Sequence, residues 1–426
     1  MESTEVQKLK GWLSEHGGGF HPQTRFEVDA AGSGVIATQD LLADQTIVSC
    51  PFSLVIDQDV AKTAIGELIG DDALTDSWSA RQWISTYIAF HWIVDPADPS
   101  VKGSDKLAHA RYLATLPPPT LLRTPLHFIP QELEIFPGTN LYGATLDRER
   151  EWRHEWSVCN DVVSQADAAW GRCYLWEHYL TAATYLSSRA FPSSLLSSTP
   201  SLQYDPSTEP VLIPGVDALN HARAQPVSWV VNYPMSSSPS SESGPTIALV
   251  LHTPTKAGQA LNNNYGPKPN AELILGYGFS LPNNPDDTIV LKLGGAGGGR
   301  KFEVGRGSKG VEAVWEEILA QIRQGAGKSP DVDEDAEEHF QEYDDLLDAA
   351  LMFKDMLRTL QKRLPSDSIL DETPGHVRPE VASQRDIVSS LLAWAKEKER
   401  EAVQMAQDAG EDVEMESEPC EDDDGQ

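Results

Sequence analysis

The chain has 426 residues, with 65 Asp and Glu against 33 Lys and Arg, for a formal charge of −32 at pH 7. A field of that sign repels nucleic-acid phosphates and anionic membranes and attracts basic partners, so neither nucleic acid nor a membrane is an expected partner. No apolar run approaches the ~20 residues that cross a bilayer, the start Met1-Glu2-Ser3-Thr4-Glu5 is no targeting segment, and the cytoplasm or nucleus is the expected location.

In chain order, Val6, Leu9, Trp12 and Leu13 have helical spacing over residues 5–16. Arg25 to Asp57 reads as short strands broken by turns, with Ala31-Gly32-Ser33-Gly34 leading into one of them. Val60 to Trp176 is helical in pattern and interrupted at Pro117-Pro118-Pro119, where proline cannot continue a helix. Trp176 to Ser188 is a further helix, and the Ser/Pro-rich stretch Pro192 to Pro210 a loop. Short strands are predicted at Val211 to Ile213, Ser228 to Tyr233 and Ile247 to Thr253, with a loop at Pro234 to Pro245. Beyond Pro285 the chain reads as mainly helical, with amphipathic segments at Val311 to Ile322, His339 to Arg363 and Val381 to Met405. The acidic blocks Asp331 to Asp345 and Glu411 to Asp424 read as solvated or disordered. The cysteines Cys50, Cys159, Cys173 and Cys420 form no CxxC pair, so reduced thiols and no metal site are expected.

Three segments bear on chemistry. Gly32-Ser33-Gly34 allows a tight turn and close approach of a ligand to the backbone, although an ordinary hairpin turn gives the same pattern. Pro214 to His221 carries Asp217, Asn220 and His221 at the end of a buried strand, where they supply directional hydrogen bonds or terminate the strand. Asn264 to Phe279 places a two-turn helix between the pairs Tyr265-Gly266 and Tyr277-Gly278, either as core aromatics or as a site.

Taken in order with Ser188-Arg189-Ala190-Phe191, these motifs resemble the SET-domain protein methyltransferases, and within them the Rubisco large-subunit methyltransferase-like group. The resemblance covers residues 25–280, including Tyr112 to Pro117. It implies an α+β fold: a β-rich knotted SET core with a helical insertion, followed by a mainly helical C-terminal domain. The implied segments are 1–57 for the N-terminal helix and first part of the core, 58–176 for the insertion, and 177–284 for the second part with the site. Residues 285–407 would form the helical, substrate-binding-like domain and 408–426 an acidic disordered tail.

The resemblance implies S-adenosyl-L-methionine as cofactor and methyl transfer to a lysine of a non-histone protein. Ala31, Gly32 and Ser33 would line the cofactor, Arg189 would pair with its carboxylate, and Asn220 and His221 would hold its amino-acid and adenine parts. Tyr265 would be catalytic and touch the cofactor, where methyl donor and acceptor meet. Ser188, Asp217 and Tyr277 would lie on the substrate side. The implied partner is a basic acceptor segment of a ribosomal protein, translation factor or similar protein, met by a monomeric enzyme. A histidine acceptor, or a degenerate SET domain that only binds protein, are the alternatives. The sequence departs from the group at Asn262-Asn263-Asn264, where apolar β-branched residues usually precede the tyrosine. Ser193 stands where plant relatives often carry a second arginine, and the cysteine cluster of many histone-modifying enzymes is missing.

Overall fold

Ser3 opens the first helix, Thr4–Glu15: its Oγ accepts the Val6 amide at 3.2 Å, and Leu9, Trp12 and Leu13 face the core. The computed structural model describes residues 2–29, 32–70, 77–95, 101–133, 136–202, 205–233, 244–294, 299–325, 334–365 and 378–415. They fall into two units.

The first unit comprises Met1–His127, Leu146–Pro267 and Gly276–Gly278. Its strands are β1 (Gly19–Phe20), β2 (Thr24–Asp29), β3 (Gly32–Ala37), β4 (Gln45–Pro51), β5 (Phe191–Pro192), β6 (Pro210–Val211), β7 (Val227–Asn232), β8 (Thr246–Leu251) and β9 (Ala260–Leu261). They make small antiparallel sheets in the orders β1-β4-β8-β7, β2-β3-β9 and β5-β6. Strands distant in sequence thus lie side by side, and Val35, Ile47, Val48, Ile247 and Leu249 from them share one core. The helix Ala80–Ile93, started by a Ser79–Gln82 capping box, belongs to that core and is buried from Gln82 to Phe90. Trp176–Arg189 is another long core helix, ending one residue beyond its predicted limit. At the Pro117–Pro119 break the short helix Ala110–Leu113 gives way to a 3-10 turn, as the missing proline donors require. The predicted Pro192–Pro210 loop lies between the paired β5 and β6 and contains a 3-10 turn at Ser193–Leu196.

The second unit comprises Phe128–Thr145, Lys268–Leu275 and Phe279–Gln426. It contains the helices Val311–Gly325, Glu334–Arg363 and Arg378–Asp408, close to the predicted ones. Two expectations need correction. The stretch after Pro285 opens with a hairpin, β10 (Thr288–Leu293) against β11 (Arg300–Gly305), rather than with helix. Ile289, Leu291 and Leu293 alternate inward, a period of two that suits a sheet with one covered face. The acidic block at Asp331–Asp345 is helical from Glu334 onward, and Asp345 is buried with its carboxylate 3.2 Å from Arg323 Nε. The apolar face formed by Leu346, Ala349, Ala350 and Phe353 outweighs the local charge repulsion. Most of the predicted tail, from Glu416 on, lies outside the described residues.

Candidate active site

Arg189 is the last residue of the helix Trp176–Arg189, and Asp217 sits on the 3-10 turn Val216–Ala218 that follows the buried Leu212-Ile213. Arg189 Nη1 donates to Asp217 Oδ2 at 3.0 Å and to its backbone carbonyl at 3.3 Å. The other carboxylate oxygen accepts the Gly215 amide at 3.1 Å. Asp217 Oδ2 takes a second donor, the Tyr112 hydroxyl, at 2.8 Å. The Asp217 side chain is 2% exposed and that of Arg189 22%, so the acid is sealed and the arginine is partly buried. Burial works against the charge on Arg189, but Asp217 more than offsets it and raises the guanidinium above its ordinary range.

These residues line a small open cleft, walled by Leu9, Phe26 and Leu116 and floored in part by Ser33 and Asn220. Asn220 Nδ2 donates to the Ser33 carbonyl at 3.1 Å, tying β3 to the turn. A side chain at position 34 would meet that amide: a Cβ on Gly34 would lie 3.0 Å from Asn220 Nδ2. Gly32 and Ser33 are exposed at the start of β3, whereas Ala31 lies outside the described residues.

His221 and Asn263 form a parallel backbone bridge, with Asn263 N donating to Asn220 O at 2.8 Å and Ala222 N to Asn263 O at 2.9 Å. The Tyr265 amide donates to His221 Nδ1 at 3.0 Å, which requires that nitrogen to be unprotonated. The Tyr265 ring then stacks between His221, at 5.1 Å, and Tyr277, at 5.0 Å. Its hydroxyl donates to Leu219 O at 3.0 Å. Burial pushes the phenol well above its ordinary range, with Arg189 opposing, so the group is a neutral donor at pH 7. Tyr277 is followed by Gly278 at φ +82°, where a Cβ would fall 2.8 Å from the Arg123 carbonyl carbon, so only glycine fits.

The three asparagines before Tyr265 stand just past the end of β9. Asn263 Oδ1 accepts the Asn264 amide at 2.8 Å. Asn264 Oδ1 accepts the Gly266 amide at 2.9 Å, and its Nδ2 donates to Gln225 O at 3.3 Å. The side chains of Asn263 and Asn264 therefore staple the backbone on either side of Tyr265.

The structure thus brings together Ser33, Arg189, Asp217, Asn220, His221, Tyr265 and Tyr277. Ser188 differs: its hydroxyl donates back to Thr184 O at 2.7 Å within its own helix. Tyr112 was missed as a site residue, since nothing in its local pattern distinguishes a core tyrosine from one aimed at a carboxylate 105 positions away.

No protein-family model matches the chain. It is 31% identical over 296 residues to the ribosomal lysine N-methyltransferase set10 of Schizosaccharomyces pombe, covering 69% of this chain and 48% of that protein. Ribosomal lysine N-methyltransferase 1 of Saccharomyces cerevisiae is 25% identical over 335 residues, covering 69% and 52%. The human actin-histidine N-methyltransferase is 22% identical over 289 residues, covering 67% and 44%. The chain therefore spans about half the length of the curated relatives it matches. Among solved structures, the SET domain of LSMT bound to methyllysine and AdoHcy superposes with a TM-score of 0.68 at 16% identity, covering 97% of this chain and 98% of that one. The chain has the SET-domain fold. Rubisco LSMT bound to AdoMet gives the same answer, with a TM-score of 0.66 at 18% identity over 97% and 98% of the two chains.

Within this SET fold the residues suit a ligand carrying a carboxylate and a flat ring. Among the described residues Arg189 donates through Nη1 alone, which leaves its Nε and Nη2 hydrogens for an anion. Leu9, Phe26 and Leu116 offer apolar surface beside it.

Proposed function

We propose that the chain is an S-adenosylmethionine-dependent protein-lysine N-methyltransferase that acts on a non-histone protein. The observation that carries this reading is the cleft itself: a charged arginine with donors to spare, a few residues of apolar wall, and a neutral buried tyrosine next to them. In this reading Arg189 holds the cofactor's carboxylate, and Ser33, Asn220 and His221 line the rest of it. The cofactor supplies an electrophilic methyl group on a sulfonium centre.

The chain's own part is alignment. Methyl transfer is an in-line displacement, and holding the two reactants in register removes much of the barrier. Tyr265 is fixed by the hydrogen bond that its backbone amide donates to His221, by two stacked rings and by the Asn263–Asn264 turn, so its hydroxyl has a defined position. A neutral phenol orients an amine without taking its proton. A lysine starts near a pKa of ~10.4 and must lose its proton to attack; a desolvated site beside Arg189 favours that neutral form. No acid–base pair is required of the protein.

The partner we propose is a basic segment of a protein of the translation apparatus, in the cytoplasm or nucleus. The names of the two fungal relatives and the charge of −32 support it. The test is incubation of the full chain with labelled cofactor and a methyl-free extract, then mass spectrometry of the labelled band. A methylated lysine in a basic protein is the expected result. Methylated histidine would move the chain to the chemistry named for its actin-histidine relatives, and failure to bind cofactor in calorimetry would make it a binding module.

A further inference from the structure

The Tyr112 ring is buried at 1% exposure in the helical insertion, yet its hydroxyl is aimed at the edge of the cleft. It donates at 2.8 Å to the same Asp217 oxygen that receives Arg189 at 3.0 Å. That oxygen is therefore shared between a neutral donor and a cation, while the Gly215 amide holds the other oxygen and fixes the plane of the carboxylate. With Tyr112 supplying the second donor, Arg189 answers Asp217 through Nη1 alone among the described residues. Without it, that oxygen of the buried carboxylate keeps only the Arg189 Nη1 bond, and a further N–H of the same guanidinium can take the place of the lost donor. Rotating one in would take it from the cleft.

We propose that Tyr112 is a positioning residue that sets the affinity of the site for the carboxylate end of its cofactor, by holding Asp217 so that Arg189 keeps its Nε and Nη2 donors free. The proposal rests on Arg189 as the carboxylate partner. The role has a signature that a packing role lacks: it applies only to ligands that carry the carboxylate.

The experiment measures calorimetric dissociation constants of the full chain for two probes, S-adenosylhomocysteine and methylthioadenosine, which keeps the nucleoside but has no amino-acid part. Tyr112→Phe retains the ring and its packing. It should weaken S-adenosylhomocysteine by roughly three- to tenfold and leave methylthioadenosine within twofold. Arg189→Ala should weaken the first probe roughly a hundredfold and spare the second. The double variant should lose no more than Arg189→Ala alone, because Tyr112 acts through that arginine. Asp217→Asn is the second variant: it keeps the shape but weakens the hold on the guanidinium, and it too should affect only the carboxylate-bearing probe.

Equal weakening of both probes by Tyr112→Phe would reduce the tyrosine to packing and overturn the proposal. So would additive losses in the double variant, or an unchanged affinity for S-adenosylhomocysteine. If Arg189→Ala fails to separate the two probes, the reading of Arg189 falls and takes the proposal with it; if Arg189→Ala separates them and Tyr112→Phe does not, only the proposal falls.

Discussion

Arg189–Asp217 in the first unit and Lys354–Glu399 in the second both take opposite charges out of water. Lys354 lies on the helix Glu334–Arg363 and Glu399 on Arg378–Asp408; both side chains are 2% exposed, and Nζ sits 2.6 Å from Oε2. Both charges of that pair are buried. The arginine pair is one-sided, with the acid sealed and the base 22% exposed on a cleft. Lysine serves the first purpose as a compact point charge, whereas the planar fork of arginine can answer an acid with one arm and present the other. A buried charge is thus a poor guide to function until its remaining donors are located.

The comparison predicts opposite responses to removing the cation. Lys354→Met should cost the most, about 3–5 kcal/mol of stability, because it removes the cation facing a carboxylate that is only 2% exposed. Urea denaturation should show this, with Lys354→Met/Glu399→Leu recovering most of the loss and folded protein keeping its affinity for S-adenosylhomocysteine. If the single variant is as stable as the parent, the sealed pair contributes nothing and the contrast collapses. Arg189→Ala should do the reverse. About 2.7 kcal/mol should be lost from cofactor binding, the hundredfold effect above. The denaturation midpoint should move far less, because Asp217 keeps the Tyr112 and Gly215 donors. A stability loss equal to that of Lys354→Met would make it a second sealed pair.

The smallest effect tests the aromatic side of the site. Tyr265→Phe preserves the stack and should leave cofactor affinity nearly unchanged while turnover falls at least roughly tenfold, ~1.4 kcal/mol. Tyr277→Phe should fall less. Equal turnover in the two variants would show that the Tyr265 hydroxyl matters only for its bond to Leu219.

The core helices were legible because their apolar positions repeat at helical spacing. Val381 to Met405 was expected and Arg378–Asp408 is found. The hairpin of β10 and β11 is hard to read from sequence, although Ile289, Leu291 and Leu293 alternate with Val290 and Lys292. Six residues hold too few periods to stand out among long amphipathic helices. At the site, the motifs named Arg189, Asp217, His221 and Tyr265, because those residues lie in short recognisable strings. Tyr112 could not be found that way, since its meaning lies in a contact that only the folded chain creates. The asparagine run was noticed as a departure, but its role as a turn required the bonds to Gly266 and Gln225 to be seen.

The parallel bridge between His221 and Asn263 bears on how the protein acquires its site in time. Ser33 meets Asn220 across 187 positions, Tyr112 meets Asp217 across 105, and Tyr265 meets His221 across 44. Each contact closes a long loop, whose entropy must be lost before the contact stabilises anything. Topologies dominated by such pairings fold slowly. The helix Ala80–Ile93 can begin from its own capping box, but the cleft cannot begin from any one segment. Affinity for the ligand should therefore emerge late during refolding, after helical signal has returned, and a nascent chain that has not reached Asn263 has no site to offer.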